Sequence, residues 1–437
     1  MSKEDCFLGL DLGTSGCRAI AIDRAGRSLA LVRSVLPPPL RTPDGGSEQA
    51  PDLWWQAVQQ VLRELTSRLR DWRIRALAVD GTSASLLLAD QGGCPLGLAL
   101  MYDDSRAKTQ LEAIRAAAPA DAAVHSATSS LAKLLYLLQR ERALPASLRA
   151  LHQADWILGR LSGRYGLSDE NNCLKLGYDA KRRCWPNWLQ RLGLPMECLP
   201  RVLPPGRKVG QLSLESARAT GLPQDTQLVT GTTDSTAAVL ATGAGTPGDA
   251  VTTLGSTLVL KLLSERPITA PEYGVYSQRL GDLWLVGGAS NSGAAVCAHY
   301  FTPERMQALT PALDPDRDTG LDYYPLLTPG ERFPVNDPDY APRLGPRPAQ
   351  DALFFQGILE GLSRIEARGY GLLQDLGAPR PRQVLSIGGG ATNPAWRRIR
   401  ERLLGVPVLL AEHQEAAYGT ARLARSGVLE DESGDSS

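Results

Sequence analysis

Two short apolar runs, at residues 7–11 and 18–23, flank Gly13-Thr14-Ser15-Gly16, a pattern that predicts a β-hairpin whose tip is rich in glycine and hydroxyls. A related pattern returns at residues 249–263, DAVTTLGSTLVLKLL. Laying Leu12-Gly13-Thr14-Ser15 over Leu254-Gly255-Ser256-Thr257 puts apolar strands on both sides of each tip. The repeat predicts a duplicated unit, one copy opening each half of the chain.

Between the hairpins the period lengthens. Leu53, Trp54, Ala57, Val58, Val61, Leu62, Leu65 and Leu69 share one face of a predicted helix over residues 52–70. Residues 76–79 and 86–89 read as strands around Asp80-Gly81-Thr82-Ser83, with a turn at 90–93, and two further helical patterns occupy 131–161. A strand at 228–230 runs into Gly231-Thr232-Thr233-Asp234 and a helix of small residues at 236–243. This sets the expected domains at 1–230 and 231–428, with 429–437 as a disordered acidic tail. The proline-rich stretch 313–350 reads as an irregular surface loop rather than core. A helix is predicted over 351–373, a strand over 383–387 ending in Gly388-Gly389-Gly390, and helices over 394–404 and 415–425.

A chain of 437 residues is long enough for two cores. Lys plus Arg and Asp plus Glu each total 47, so bulk charge gives no attraction to nucleic acid or anionic lipid, and the expected partners are small molecules. Seven cysteines without a C-x-x-C pair argue against a disulfide framework or a zinc site. No apolar run reaches 18 residues and the N-terminus lacks a signal-peptide pattern, so the expectation is a cytoplasmic protein with no membrane span. Monomer and homodimer both stay open.

Glycine- and hydroxyl-rich tips present N–H and O–H donors without bulk, which suits phosphates, although each tip read alone is equally a tight turn. Asp11 beside the first tip changes that balance. A carboxylate next to a phosphate needs a cation between them, which makes Asp11 the candidate for a Mg²⁺ shell, reached through water. Asp234, at a strand-to-helix junction, reads either as a helix cap or as a carboxylate that accepts a proton from a nucleophilic hydroxyl. Gly388, Gly389 and Gly390 would let a flat ligand approach the backbone; Asn393 reads as a cap or a base contact, and Trp396 as an aromatic cover or a core residue.

Together these segments resemble the FGGY family of carbohydrate kinases, within the superfamily that also holds actin and hexokinase. The likeness runs in order through FLGLDLGTSGCRAIAID, EQAPDLWWQAVQQVLREL, DWILGRLSG, GTTDSTAAVLATGAG, TTLGST, LSIGGGATNPAWRRI and EAAYGTARLA. It implies an α/β fold of two actin-like ATPase (ribonuclease H-like) domains, with mixed sheets flanked by helices and a central cleft. It implies ATP and Mg²⁺ as cofactors, Asp234 as catalytic base, and Gly13, Thr14, Ser15, Gly255, Ser256 and Thr257 around the β- and γ-phosphates. Gly388, Gly389, Gly390, Asn393 and Trp396 fall to the adenosine side. Asp11, Asp80, Gly81, Thr82 and Ser83 would face the sugar, with Asp103, Asp104 and Arg106 nearby, unless that last group is a solvated loop. Many xylulose kinases of the family carry Met-His-Gly after the strand that here ends VDGTSAS, and glycerol kinases carry Arg-Glu-Thr where this chain has DDSRA. The compact length resembles the cyanobacterial and plant branch, which implies D-ribulose as the ketopentose substrate, with D-xylulose second. An actin-like ATPase and a sugar-sensing pseudokinase are the alternatives of another class.

Overall fold

The computed structural model describes residues 3–141, 145 and 147–434, with side chains described as far as residue 430. It divides into two compact units, Met1–Ala241 with Glu415–Ser437, and Thr242–Gln414.

Each unit is built on a six-stranded mixed sheet. In the first unit, strand Glu4–Leu12 lies between its antiparallel hairpin mate Gly16–Asp23 and the parallel strand Trp72–Gly81. Ser28–Val35 extends the hairpin side, and Gln227–Val229 adds a parallel strand on the other. The second unit repeats this plan. Asp249–Leu254 lies between its hairpin mate Leu258–Ser264 and the parallel strand Gln383–Ile387, with Leu283–Ala289 and Val408–Leu410 outside them. The duplication read from two hairpin tips therefore extends to five strands in the same order. The units differ at their edges, where Lys208–Gln211 closes one sheet and Tyr276–Leu280 the other.

Close packing of helices on these sheets depends on glycine. The last helix, Ala416–Gly434, runs over the first strand at Gly9, where a Cβ would come within 2.0 Å of the Ala417 carbonyl oxygen. It also meets helix Asp234–Ala241 at Gly419, where a Cβ would come within 1.9 Å of the Ala237 carbonyl oxygen.

These contacts correct two expectations. The division falls after Ala241 rather than at 231, so Asp234 belongs to the first unit, and the chain returns to that unit at Glu415. The last helix continues through residues 429–434 of the expected tail, while 435–437 lie outside the described residues.

The first unit also carries a five-stranded antiparallel sheet, assembled from residues 40–152, with its own apolar core around Leu88, Leu131, Leu134 and Leu189. Residues 313–350 contain no helix or strand, as predicted, but they are not merely surface. Tyr323, Tyr324, Leu326 and Phe333 enter the second unit's core. Buried Glu331 ties this segment down by accepting from Ser290 Oγ at 2.6 Å, the Asn291 amide at 2.7 Å and Tyr324 Oη at 3.0 Å. Backbone without a ladder of its own can be buried when side chains satisfy it. Among the described residues, no helix is long and apolar enough to cross a membrane.

Candidate active site

Asp234 is placed by the close approach of two backbones. A Cβ on Gly231 would come within 1.6 Å of the Val79 carbonyl oxygen, so only glycine lets residues 231–233 run along the end of strand Trp72–Gly81. Thr233 then makes a parallel bridge to Gly81. The Thr233 carbonyl accepts from the amides of Thr236 (3.0 Å) and Ala237 (2.9 Å), which puts Thr233 at the cap position. Asp234 is thus not the cap. Its partly exposed carboxylate accepts from the amides of Ser235, at 2.7 Å, and Ser83. Burial and the charge of Asp11 push its pKa up to about 6, with the two amides and Lys175 pulling the other way.

Asp11 and Asp80 form an acidic pair beneath it, on adjacent strands in direct register. Both are buried, and each carboxyl is raised, first by burial; Asp80 is raised well above the carboxylate range, with the charge of Asp11 as its next cause. Arg18 Nη1 donates to Asp11 Oδ2 at 2.9 Å, and Thr420 Oγ1 donates to Asp80 Oδ2. Asp80 Oδ1 is buried with no protein donor. Two carboxylates this close cannot both ionise without help, so a shared proton or a cation must sit with them.

Around the pair, the segment after strand Trp72–Gly81 is pinned from below. Gln153 Oε1 accepts from the Thr82 amide (2.9 Å) and Thr82 Oγ1 (2.8 Å), and Thr82 Oγ1 also meets Ser85 Oγ at 2.6 Å. Ala84 follows in the left-handed region at φ 68°, which costs a non-glycine residue roughly 1–2 kcal/mol. Lys133, fully buried on helix Ser130–Arg140, donates to the carbonyls of Ala84 (2.8 Å), Met101 (2.7 Å) and Tyr102 (3.1 Å). Three acceptors require the three donors of an ammonium, which opposes the burial that drives its pKa down to about 7. One lysine therefore joins the segment carrying Ser83 to the segment carrying Asp103.

The MYDDSRA group divides. Asp103 is partly exposed and pairs with Arg41 at 2.7 Å. Asp104 is fully buried and accepts from the Ser47 amide (2.8 Å) and Arg106 Nη2 (2.7 Å), while Arg106 also pairs with Glu48 at 2.7 Å. Asp104 and Arg106 are paired internally, which corrects the solvated-loop reading.

The two tips have the composition phosphate binding needs. The first tip's fold-back is closed by the Gly13 amide on the Gly16 carbonyl at 2.9 Å. In the second unit, the Gly255 and Ser256 carbonyls accept from the Ala294 (2.9 Å) and Ala295 (3.2 Å) amides. Among the described residues, no protein group bonds the hydroxyls of Thr14, Ser15, Ser256 or Thr257.

The second tip opens onto a cavity of about 780 Å³, lined by Gly255, Ser256, Met306, Gly389, Asn393 and Trp396 among others. Gly388 joins cavity and tip. Its φ is 90°, and a Cβ there would come within 2.9 Å of the Leu254 carbonyl oxygen. The Trp396 ring is buried against Gly390, with Nε1 donating to Ser363 Oγ at 3.1 Å, so it is both core and cavity wall. Asn393 caps helix Pro394–Leu404, accepting from the Trp396 amide at 3.0 Å and donating to Thr310 Oγ1 at 3.2 Å. A Cβ on Gly389 would meet nothing within 4 Å, so its open face is accessible from the cavity. A mostly apolar pocket of this size with a few fixed polar groups suits a small organic ligand.

Sequence reasoning did not single out Lys133, Gln153, Lys175 or Arg18. Lys133 left one signal, a lysine within the apolar helical stretch SLAKLLYLL.

Paired α/β units, each centred on a glycine- and hydroxyl-tipped hairpin, are the actin-like ATPase fold. Residues 6–241 match the N-terminal domain, and residues 250–427 the C-terminal domain, of the FGGY family of carbohydrate kinases. The chain belongs to that family and is an ATP-dependent phosphotransferase. It is 25% identical to the xylulose kinase of Escherichia coli over 96% of this chain and 89% of that protein. It is 26% identical to the erythritol kinase of Brucella abortus over 97% of this chain and 87% of that protein. Among solved structures, a xyloylose kinase from Brucella ovis superposes with a TM-score of 0.87, at 25% identity, over 97% of this chain and 91% of that one.

Proposed function

We propose that this sugar kinase phosphorylates a ketopentose, D-ribulose first, with Asp234 as the base that accepts the proton of the attacking hydroxyl. The observation that carries the role of Asp234 is its setting: a partly exposed carboxylate, held by the amides of Ser83 and Ser235 and pushed up to about 6 by burial and by Asp11. A base poised near neutrality is matched to taking a hydroxyl proton, a contribution of roughly 10² to 10⁴ in rate.

Thr14, Ser15, Ser256 and Thr257 hold phosphate oxygens through unpaired hydroxyls, and Gly13 and Gly255 keep the two tips free of side-chain bulk for the phosphates to approach. Gly388, Gly389 and Gly390 take the adenosine, with Asn393 and Trp396 shaping the wall. Asp11, Asp80, Ser83 and Asp103 orient the sugar. Buried Asp80 Oδ1, lacking a protein donor beside Asp11, is a hard oxygen that suits a divalent cation or a proton. Asp11 would hold Mg²⁺, through water, and the ion when bound neutralises charge on the transferring phosphoryl group. Arg18 keeps one oxygen of Asp11 occupied, which limits how much negative charge that carboxylate presents to a phosphate.

The absence of the Met-His-Gly that many xylulose kinases carry after the strand here ending VDGTSAS counts against D-xylulose, and leaves D-ribulose, which the resemblance to the compact branch implies, first. D-xylulose is the second reading, supported by the name of the Escherichia coli relative. Measuring kcat/KM with Mg-ATP for D-ribulose, D-xylulose, L-ribulose, erythritol and glycerol tests the choice. D-ribulose leading by about tenfold or more, the size of discrimination that hydroxyl-reading contacts give, supports it. D-xylulose or a polyol leading overturns it.

A further inference from the structure

The first unit carries a second cavity, of about 730 Å³, which the residues assigned to phosphoryl transfer do not line. Its walls come from strand Leu167–Asp169, the paired strand Arg201–Leu203, the start of strand Lys208–Gln211 and the far end of the C-terminal helix. Among the described residues, Arg164, Arg201, Arg207 and Lys208 line it together with one carboxylate, Glu430. Among the described lining residues four positive charges stand against one negative, in a chain whose net charge is zero. Among the described residues, no carboxylate pairs with the guanidinium of Arg164, Arg201 or Arg207. Leu167, Leu203 and Val209 add apolar surface to the same lining.

All four cationic residues are exposed, and like charges gathered around one concavity repel, a repulsion that a bound anion relieves. Arginine's planar fork matches phosphate oxygens in pairs, and a phosphate monoester brings a charge of roughly −1.5 to −2.

From this geometry we infer that the cavity is a binding site for a small phosphate-bearing molecule, separate from the site of phosphoryl transfer. The arginines clasp the phosphate, and the surface of Leu167, Leu203 and Val209 takes the remainder of the ligand. The site is wired to the Asp234 segment through Thr230. Thr230 Oγ1 donates to the Pro204 carbonyl at 2.7 Å and accepts from the Arg207 amide at 2.9 Å, and the Gly206 amide donates to the Thr230 carbonyl at 2.9 Å.

The test is isothermal titration of the full chain with ribose 5-phosphate, inorganic phosphate, pyrophosphate and citrate. The wild type is compared with Arg201→Glu/Arg207→Glu and with Glu430→Gln. Arg201 and Arg207 bear no ion pair among the described residues, so the double variant keeps its fold, which its melting curve checks. Binding of the phosphate probes should weaken by about tenfold or more in the double variant, tighten in Glu430→Gln, and fall with added salt. Ribose 5-phosphate binding more tightly than inorganic phosphate assigns the site to an organic phosphate, and the reverse assigns it to free phosphate. Phosphate binding unchanged in the double variant places the anion elsewhere and overturns the inference, as does citrate binding as tightly as pyrophosphate. Sugar kinase activity is not read in this experiment, so its outcome is independent of the substrate assignment.

Discussion

Replacing Lys133 with methionine keeps the length of the side chain and removes its ammonium. Three carbonyls, those of Ala84, Met101 and Tyr102, then lose the donor they share in a fully buried place. An unsatisfied buried acceptor costs about 1–3 kcal/mol, so the loss is about 3 kcal/mol at the least. For a unit of this size each kcal/mol lowers Tm by roughly 2–4 °C, which puts the smallest expected drop on the order of 6–12 °C. The kinetic consequence is more specific. Ala84 is held at φ 68° by a bond that the variant lacks, so residues 83–85 relax and Ser83 withdraws its amide from Asp234. The sugar KM should rise and kcat should fall, while the KM for ATP changes little, because the second-unit cavity contains none of these groups. Lys133→Gln, which keeps a donor, should fall between methionine and wild type. Thermal melts and steady-state kinetics with each substrate varied in turn measure all of this. A methionine variant with wild-type Tm and an unchanged sugar KM would refute the positioning argument.

Two other predictions concern the site itself. Since Asp234 acts deprotonated and is pushed up to about 6, kcat/KM for the sugar should rise with pH through about 6 and level above it. In Asp11→Asn the raising charge is gone, so the limb should move to lower pH; a limb that stays in place would assign it to another group. At Gly389, where a Cβ would meet no protein atom within 4 Å, Gly389→Val should leave Tm nearly unchanged and raise the KM for ATP several-fold, without altering the sugar KM. An unchanged ATP KM would remove the glycine run from the adenosine side.

What could be read from the chain was local. The two hairpins, the glycine run and the junction at Asp234 are contiguous segments whose apolar spacing and small residues speak for themselves, and the structure has them where they were expected. The return of the last helix to the first unit was not legible, because it rests on Gly9 and Gly419 meeting backbone far along the chain, and a glycine announces its freedom but not its partner. Residues 313–350 misled for a related reason: prolines predict irregular backbone correctly, yet Phe333 and Tyr324 are buried with Glu331 accepting from the Phe333 amide and the Tyr324 hydroxyl. For Asp104 and Arg106 the alternative of a solvated loop stayed open because ion-pair partners such as Glu48 are distant in sequence.

The most direct measurement of the central claim is ADP release with Mg-ATP, with and without D-ribulose, for the wild type and Asp234→Ala. Sugar-dependent release in the wild type, lowered about 10²-fold or more in the variant while ATP binding is retained, is what a carboxylate base predicts. Equal release without sugar, or an undiminished variant, would contradict it and leave an ATPase whose Asp234 serves the fold alone.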